Sequence, residues 1–231
     1  MSGWWPDERR YAGAEHLDAG YVAGYDRKSG FDPTDDVEVL RRRGLDAGST
    51  VVDLGAGTGT FTVAVAPWSA RVVAVDVSPV MADALRRRVD DLGLANVEVV
   101  EAGFLSYRHV GEPADVVFTR NALHQLPDLW KGVALARVAG YLRPGGVLRL
   151  HDLAFDSGPD ELPATVEGWL AGAVADPGVG YTAGELAEHL RGEFSTYSWL
   201  LDALLDRSGF DVEDRHYRRG AYGAYTCRRR A

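Results

Sequence analysis

The chain has 231 residues, of which 46% are hydrophobic and 10% aromatic, and this is enough to bury the core of one globular domain. No apolar run approaches the roughly 20 residues that span a bilayer, and the first residues lack the apolar stretch of a secretory signal, so a cytoplasmic location is expected. The net charge of −9 disfavours nucleic-acid and membrane partners, and a single cysteine excludes an intrachain disulfide and a Cys-x-x-Cys metal site.

Residues 1–48 are rich in aromatic residues and glycine, and they end in a predicted helix capped at Thr34. They are predicted to form an N-terminal helical cap over the ligand edge of the domain that follows, residues 49–231. Arginine triplets at 41–43, 86–88 and 228–230 are expected to face solvent rather than a nucleic acid.

Between residues 49 and 152, short β-branched runs alternate with helical patterns, which favours a parallel sheet with crossover helices. The predicted strands cover residues 50–54, 71–75, 97–100, 115–119 and 147–150. Ser78 and Pro79 predict the start of a helix that ends at Gly93. A second helix is predicted over about residues 128–142. Its inward face is predicted to contain Leu129, Val133, Ala136 and Val138.

The last third of the chain has a different pattern. Residues 153–209 are predicted to form mainly helices, as an insert that lines the substrate site. Residues 210–217 and 222–226 are predicted to close the sheet as an antiparallel hairpin.

Three glycines, Gly55, Gly57 and Gly59, follow the first predicted strand, where a parallel α/β sheet binds its ligand. The dinucleotide fingerprint needs glycine at position 60, which is threonine, and a phosphate-binding loop needs a lysine that is absent. Asp53 would compete with a pyrophosphate for the loop amides, whereas it suits a positively charged ligand. S-adenosylmethionine carries an ammonium and a sulfonium and has no phosphate. Asp76 ends the second strand, where a carboxylate can accept both ribose hydroxyls.

The region from about Val51 to Asp152 resembles the class I S-adenosylmethionine-dependent methyltransferases, particularly their type 11 or UbiE-like small-molecule branch. The matching motifs are Asp-Leu-Gly-Ala-Gly-Thr-Gly at 53–59, Val-Asp-Val-Ser-Pro at 75–79, Ala-Leu-His-Gln-Leu-Pro at 122–127 and Leu-Arg-Pro-Gly-Gly-Val at 142–147. The resemblance implies a Rossmann-like, doubly wound α/β sheet of seven strands, mostly parallel with the last strand antiparallel. It also implies methyl transfer from S-adenosylmethionine to an oxygen, nitrogen or carbon atom of a small molecule, with S-adenosylhomocysteine as product.

The resemblance assigns the cofactor site position by position. Asp53 and the glycine loop would face the methionine part, Asp76 the ribose, and residues 120–121 the amino-acid portion. The predicted cofactor-binding residues are Tyr25, Asp53, Gly55, Ala56, Gly57, Thr58, Gly59, Asp76, Val77, Met81, Gly103, Phe104, Arg120 and Asn121.

One position departs from the family pattern. The family commonly has Gly-Asp after the third strand, and its aspartate binds the adenine amino group, but Ala102-Gly103 stands here. The backbone of Gly103 and the ring of Phe104 are predicted to contact the adenine instead.

Candidate catalytic residues follow the fourth and fifth strands. They are His124, His151 and Asp152, because a neutral histidine suits proton removal near pH 7. Packing roles for all three stay open. Tyr11, Tyr21, Tyr25 and Lys28 are candidates for closing over the cofactor, and His189 and residues 194–199 for lining an acceptor pocket.

Several absent motifs narrow the range of methyl acceptors. The segment Thr119-Arg-Asn-Ala122 lacks the Asn/Asp-Pro-Pro-Tyr motif of amino-group methyltransferases acting on nucleobases or glutamine, and Cys227 is no obvious nucleophile. No metal site is predicted, and the chain is expected to be a monomer or homodimer. The alternatives are an S-adenosylmethionine-binding protein of the same fold that catalyses a non-methylating reaction or uses the cofactor structurally, a nicotinamide-dependent reductase, and an RNA methyltransferase.

Overall fold

A computed structural model describes residues 3–231 as a mixed sheet covered by helices, so the first two residues of the predicted cap lie outside the described part. The strands are β1 (Thr50–Leu54), β2 (Arg71–Asp76), β3 (Val97–Glu101), β4 (Ala114–Arg120), β5 (Leu142–Phe155), β6 (Thr196–Tyr197), β7 (Phe210–Arg218) and β8 (Tyr222–Arg229). The α-helices are α1 (Ala19–Ser29), α2 (Thr34–Arg42), α3 (Thr60–Val65), α4 (Pro79–Asp91), α5 (Asp128–Tyr141), α6 (Leu162–Ala171), α7 (Ala183–Gly192) and α8 (Ser198–Arg207).

The strand order is β3-β2-β1-β4-β5-β8-β7, and the two-residue β6 pairs with the end of β5. β1 to β5 pair in parallel, whereas β8 runs antiparallel to both of its neighbours. The predicted sheet and its closing hairpin are therefore confirmed. Because β1 and β4 are adjacent at the centre, their carboxyl ends meet at the point where the strand order reverses, which is where such sheets bind ligands.

Alternate residues of β1 serve two cores on opposite faces of the sheet. Val51 packs with α2 and α3, and Val52 packs with α5 and α8. Helix α2 contributes Val37 and Leu40 to the first of these cores, so it is packed directly on the sheet. The predicted domain division at residue 48 stays a prediction.

The predicted inward face of α5 was half right, because Val138 is buried and Val133 packs against the core as predicted, but the other two residues face outward. Leu129 is 74% exposed and Ala136 is exposed, whereas Lys131 is buried and donates to the carboxylate of Asp128 and to the carbonyl of Phe194. The inward face of the helix includes Lys131, whose partner Phe194 is distant in sequence, and periodicity alone cannot identify such a partner.

The predicted cap at Thr34 was also wrong. Helix α2 begins at Thr34 itself, and the carboxylate of Asp32 accepts hydrogen bonds from the Thr34 amide and hydroxyl, at 2.9 and 2.6 Å. By contrast, Ser78 caps α4 as predicted, since its hydroxyl accepts from the Met81 amide.

Among residues 3–231, no helix combines the length and apolar character that crossing a membrane would require.

Substituting Gly59 by alanine should destabilise the fold. Gly59 has a φ of +88°, and a Cβ built there would overlap Cδ1 of Leu85 in α4. We expect Gly59→Ala to lower the free energy of unfolding by at least about 2 kcal/mol, measured by urea denaturation. Gly140→Ala is the matched control, because that exposed α5 position is open, and it should cost nothing or stabilise by up to about 1 kcal/mol. Equal losses in the two variants would contradict this account.

Candidate functional site

The amides of the glycine loop are used within the protein. The amides of Gly55 and Ala56 both donate to the carbonyl of Val75, at 2.8 and 3.0 Å, and the Gly59 amide donates to the carbonyl of Ala56 at 3.0 Å. The Gly57 amide donates to the Asp76 carboxylate at 2.8 Å. These four amides are therefore not directed at a phosphate, unlike those of a phosphate-binding loop.

The carboxylate of Asp76 joins the loop to α4. Its Oδ2 accepts from the Gly57 amide and its Oδ1 from the Ser78 amide, each at 2.8 Å. Asp76 is 9% exposed, and burial raises the pKa of its carboxyl although the two amides favour the ionised form. Each oxygen keeps acceptor capacity for a ligand hydroxyl.

Asp53 lies at the end of β1 with few partners. It is 2% exposed, and its Oδ2 accepts from the Thr62 hydroxyl at 2.5 Å. Burial raises the pKa of Asp53 to about 7, with the charge of Asp76 adding to the effect against the Thr62 hydrogen bond. A cationic ligand group nearby would stabilise the ionised carboxylate.

A first cavity, of about 650 Å³, lies over this edge of the sheet beneath the N-terminal segment. Ten of the predicted cofactor-binding residues line it: Tyr25, Gly55, Gly57, Asp76, Val77, Met81, Gly103, Phe104, Arg120 and Asn121. An adjoining cavity of about 560 Å³ is lined by Asp53, Ala56 and Thr58. Gly59 packs against Leu85 instead, and the Thr58 hydroxyl donates to Asp26 of α1.

Backbone strain marks the end of β4. Asn121 has a φ of +48°, which is uncommon for a residue other than glycine, and its amide donates to the carbonyl of His151 at 2.9 Å. The preceding Arg120 lies with its guanidinium 4.2 Å from the ring centroid of Phe31. Burial lowers the pKa of Arg120.

Glu8 was missed by sequence reasoning. It lies in the 3₁₀ turn Glu8–Tyr11 and lines the first cavity, and it is 8% exposed. Its carboxylate accepts hydrogen bonds from the amides of Leu105 and Ser106 and from the Ser106 hydroxyl. Burial raises the pKa of the Glu8 carboxyl against these hydrogen bonds. No local signal connects residue 8 with residue 103, so only the folded chain reveals this neighbour.

The structure brings the predicted residues His124 and Asp152 together as a buried pair. Nδ1 of His124 lies 2.5 Å from Asp152 Oδ1, and Nε2 lies 3.1 Å from Glu193 Oε2. Burial alone would lower the pKa of His124, but the two carboxylates outweigh it and raise the pKa to about 10. His124 is therefore an imidazolium near pH 7 with both nitrogens engaged, which is unsuited to accept a proton. The predicted catalytic role of this pair stays untested.

The third catalytic candidate, His151, faces α2. Its Nε2 lies 2.7 Å from Asp36 Oδ1, an oxygen that also accepts from Arg149 at 2.8 Å. Burial lowers the pKa of His151, although Asp36 opposes the shift. This cluster ties α2 to β5, and catalysis by His151 stays a prediction.

A second cavity, of about 940 Å³, lies between the N-terminal segment and α7. Its lining includes Tyr11, Glu15, Tyr21, Lys28, Gln125, Tyr181, Glu185, Glu188, His189, Glu193 and Phe194. Tyr11 and Gln125 line the first cavity as well. A smaller space of about 440 Å³, lined by Tyr25, Asn121, His124, His189 and Glu193 among others, also adjoins both. The two cavities therefore meet beside Gln125.

Comparison with known proteins identifies the fold and the family. A family model described as a methyltransferase domain matches residues 51–146. Over 186 residues, the chain is 32% identical to a trans-aconitate 2-methyltransferase of Azoarcus sp. (strain BH72), covering 76% of this chain and 70% of that protein. The chain belongs to the class I S-adenosylmethionine-dependent methyltransferases.

One further relative and one solved structure extend this comparison. The methyltransferase is 38% identical over 110 residues to a dimethylglycine N-methyltransferase of Parasynechococcus marenigrum, covering 47% of this chain and 39% of that protein. Its fold matches a magnesium protoporphyrin IX methyltransferase of Synechocystis with bound S-adenosylmethionine, with a TM-score of 0.64, 13% identity and coverage of 99% and 100% of the two chains. This likeness concerns the fold alone.

The residues of this methyltransferase fit S-adenosylmethionine. Among the described residues no cation pairs with the buried Asp53, the Asp76 carboxylate faces the first cavity, and Val77, Met81 and Phe104 line that cavity with apolar side chains. The loop amides, bonded internally, offer little to a pyrophosphate. The loop also has threonine at position 60, where the dinucleotide fingerprint needs glycine. This spacing and the bonded amides together disfavour a nicotinamide nucleotide.

The state of Asp53 should make cofactor affinity depend on pH. Because its pKa is raised to about 7, the carboxyl is protonated in the empty site below that pH and must lose the proton to bind an ammonium group. We expect the affinity for S-adenosylhomocysteine to fall on acidification from pH 7.5 to 5.5, by up to about tenfold per pH unit, in isothermal titration calorimetry. Asp53→Asn should bind more weakly at pH 7.5 and lose this dependence. The same pH dependence in both proteins would contradict the role of Asp53.

Proposed function

We propose that this methyltransferase transfers a methyl group to an amine of a small molecule bound in the second cavity. The observation that carries the proposal is the pair formed by His189 and Glu193, which lines that cavity where it approaches the first one. In this proposal residues 1–48 act as a cap over both ligands, and the helical insert, about residues 153–209, supplies most of the acceptor contacts.

The charges of the second cavity favour a cationic acceptor. Four carboxylates line it, from Glu15, Glu185, Glu188 and Glu193, against the side chains of Arg10 and Lys28. Lys28 is held by Glu185 at 2.5 Å, Arg191 by Glu188 at 3.2 Å, and Glu193 interacts with two histidines. Among the described residues Glu15 is the carboxylate of this lining that forms no ion pair. A polycarboxylate would meet repulsion there, whereas an ammonium would find Glu15 and aromatic faces. One relative is named for a polycarboxylate acceptor, trans-aconitate, and another for an amine acceptor, dimethylglycine. The charge of the second cavity supports an amine acceptor for this chain.

His189 has the hydrogen-bond arrangement of a general base. Its Nδ1 lies 2.6 Å from Glu193 Oε1. In the tautomer that donates from Nδ1 to Glu193, Nε2 is the nitrogen that can accept a proton from a bound ammonium. Such an orienting carboxylate also stabilises the imidazolium that forms.

Glu193 is kept ionised by its surroundings. Burial would raise its pKa, but the hydrogen bonds of His124 and His189 hold the pKa of Glu193 well below its usual range. Gln125 donates to its Oε1 at 2.9 Å as well. The predicted pair of His124 and Asp152 therefore positions Glu193 in this proposal, and Glu193 in turn orients His189.

S-adenosylmethionine, when bound, supplies an electrophilic methyl group. The residues of the chain then have two tasks, to hold the acceptor amine next to the cofactor cavity and to take up its proton. Tyr11 and Gln125, at the junction of the two cavities, would align the acceptor and limit water.

An acceptor panel tests the proposed function. We expect S-adenosylhomocysteine to form with one or more small amines, the probes being dimethylglycine, sarcosine, ethanolamine and a tripeptide with a free amino terminus. Trans-aconitate and catechol should give at most background turnover. Turnover with trans-aconitate or catechol and with none of the amines would contradict the amine proposal, although it would leave methyl transfer intact.

Replacing His189 tests the proposed base with the best amine of the panel. We expect His189→Ala to lower kcat by about 10² to 10⁴ while affinity for S-adenosylhomocysteine is unchanged, because only proton transfer is lost. Added imidazole should restore part of the activity. His216→Ala, which removes an exposed histidine of β7, is the matched control and should keep full activity.

A metal ion is the competing explanation for an effect at His189. Donor atoms of Glu15, His189 and Glu193 lie within 4.8 Å of one another. A general base predicts full activity after treatment with EDTA. Loss of activity in EDTA with recovery on adding a divalent ion, or full activity of His189→Ala, would contradict the proposed base.

A further inference from the structure

We infer that the carboxylate of Glu8, from the N-terminal segment, recognises the amino group of the cofactor's adenine. The inference concerns the cofactor alone and does not depend on which acceptor is methylated. It assigns to a residue near the start of the chain a specificity role within the site formed by the sheet.

Glu8 lies in the first cavity together with side chains suited to a flat base. Asp76, suited to the ribose hydroxyls, lines this cavity with the apolar side chains of Val77, Met81 and Phe104. Glu8 and Gly103 line it as well, and the Glu8 carboxyl lies within 2.6 Å of the position that a Cβ on Gly103 would occupy. A base packed against these apolar side chains would have a buried carboxylate in the same cavity, and adenine carries one amino group on its outer edge as a donor.

The hydrogen bonds of Glu8 leave room for one more donor. Oε2 accepts from the amides of Leu105 and Ser106, at 3.1 and 3.2 Å, and from the Ser106 hydroxyl at 3.0 Å. Oε1 accepts only from the Leu105 amide, at 3.0 Å, among the described residues. A carboxylate oxygen has two lone pairs, so Oε1 can accept from the adenine amino group without losing a partner.

Glycine at position 103 is what admits this carboxylate. A Cβ built on Gly103 would overlap the carboxyl group of Glu8, so any other residue would displace it. The carboxylate that a side chain at position 103 could have provided comes here from residue 8, and the two positions exclude each other. This steric exclusion gives the inference a compensating double substitution as a test.

The segment that carries Glu8 is held over the cavity by independent contacts. The hydroxyl of Ser78, at the start of α4, donates to the carbonyl of His16 at 2.7 Å. Arg9 pairs with Glu101 at the end of β3, and Ala12 is buried. Glu8 is therefore positioned by its neighbours along the chain as well as by its own hydrogen bonds.

The test compares two ligands by isothermal titration calorimetry. The first is S-adenosylhomocysteine, and the second is its analogue with an unsubstituted purine, in which hydrogen replaces the amino group. We expect the unsubstituted protein to prefer the first by about 10- to 100-fold, as for a hydrogen bond to a charged group. Glu8→Ala should lower the affinity for S-adenosylhomocysteine to that for the analogue, so that the preference disappears. Gly103→Asp combined with Glu8→Ala should restore it.

Control variants separate adenine recognition from the support of the turn at residues 103–106. Glu8→Gln keeps a neutral acceptor for the turn, and its preference for S-adenosylhomocysteine over the analogue should be intermediate. Ser106→Ala should lower Tm while the ratio of the two affinities is unchanged. Equal binding of both ligands by the unsubstituted protein would overturn the inference. So would a Glu8→Ala variant that weakens both ligands equally, because that result assigns Glu8 to the turn alone. Cofactor binding and methyl transfer could stand in either case.

Discussion

The arrangement of the cofactor site depends on the two hydrogen bonds that the Asp76 carboxylate accepts. One comes from the Gly57 amide in the loop after β1 and the other from the Ser78 amide before α4, so a single side chain sets the distance between two adjacent loops. The same interaction occupies an amide that a phosphate would need. It leaves a buried carboxylate facing the cavity with its pKa raised, which favours a ligand that brings hydroxyl donors or positive charge. The chemistry of the ligand is thus limited by how the loop is bonded.

The N-terminal segment contributes to both cavities of the protein. Glu8 lines the first cavity, whereas Glu15, Tyr21 and Lys28 line the second. A ligand in either cavity therefore contacts the same stretch of chain, which is attached to the sheet through Ser78.

The sequence predicted the features that depend on local pattern. The strand limits of β1 and the cap of α4 at Ser78 both follow from residues that are neighbours along the chain. The features that were missed depend on distant partners. The buried Lys131 donates a hydrogen bond to the carbonyl of Phe194, and Glu8 reaches the turn after β3 across almost a hundred residues of sequence. Periodicity and spacing carry no information about such contacts, so these residues could not have been predicted from either.

The number of partners distinguishes the buried carboxylates of the site. Glu193 interacts with His124, His189 and Gln125, so its negative charge is compensated within the protein and its pKa is lowered. Asp53 accepts hydrogen bonds only from Thr62 among the described residues, and its pKa rises to about 7. A buried carboxylate that the protein itself leaves without a cation is stabilised when a ligand supplies one. The compensated group is therefore suited to orient a neighbour such as His189, and the uncompensated group is suited to bind the ammonium of S-adenosylmethionine.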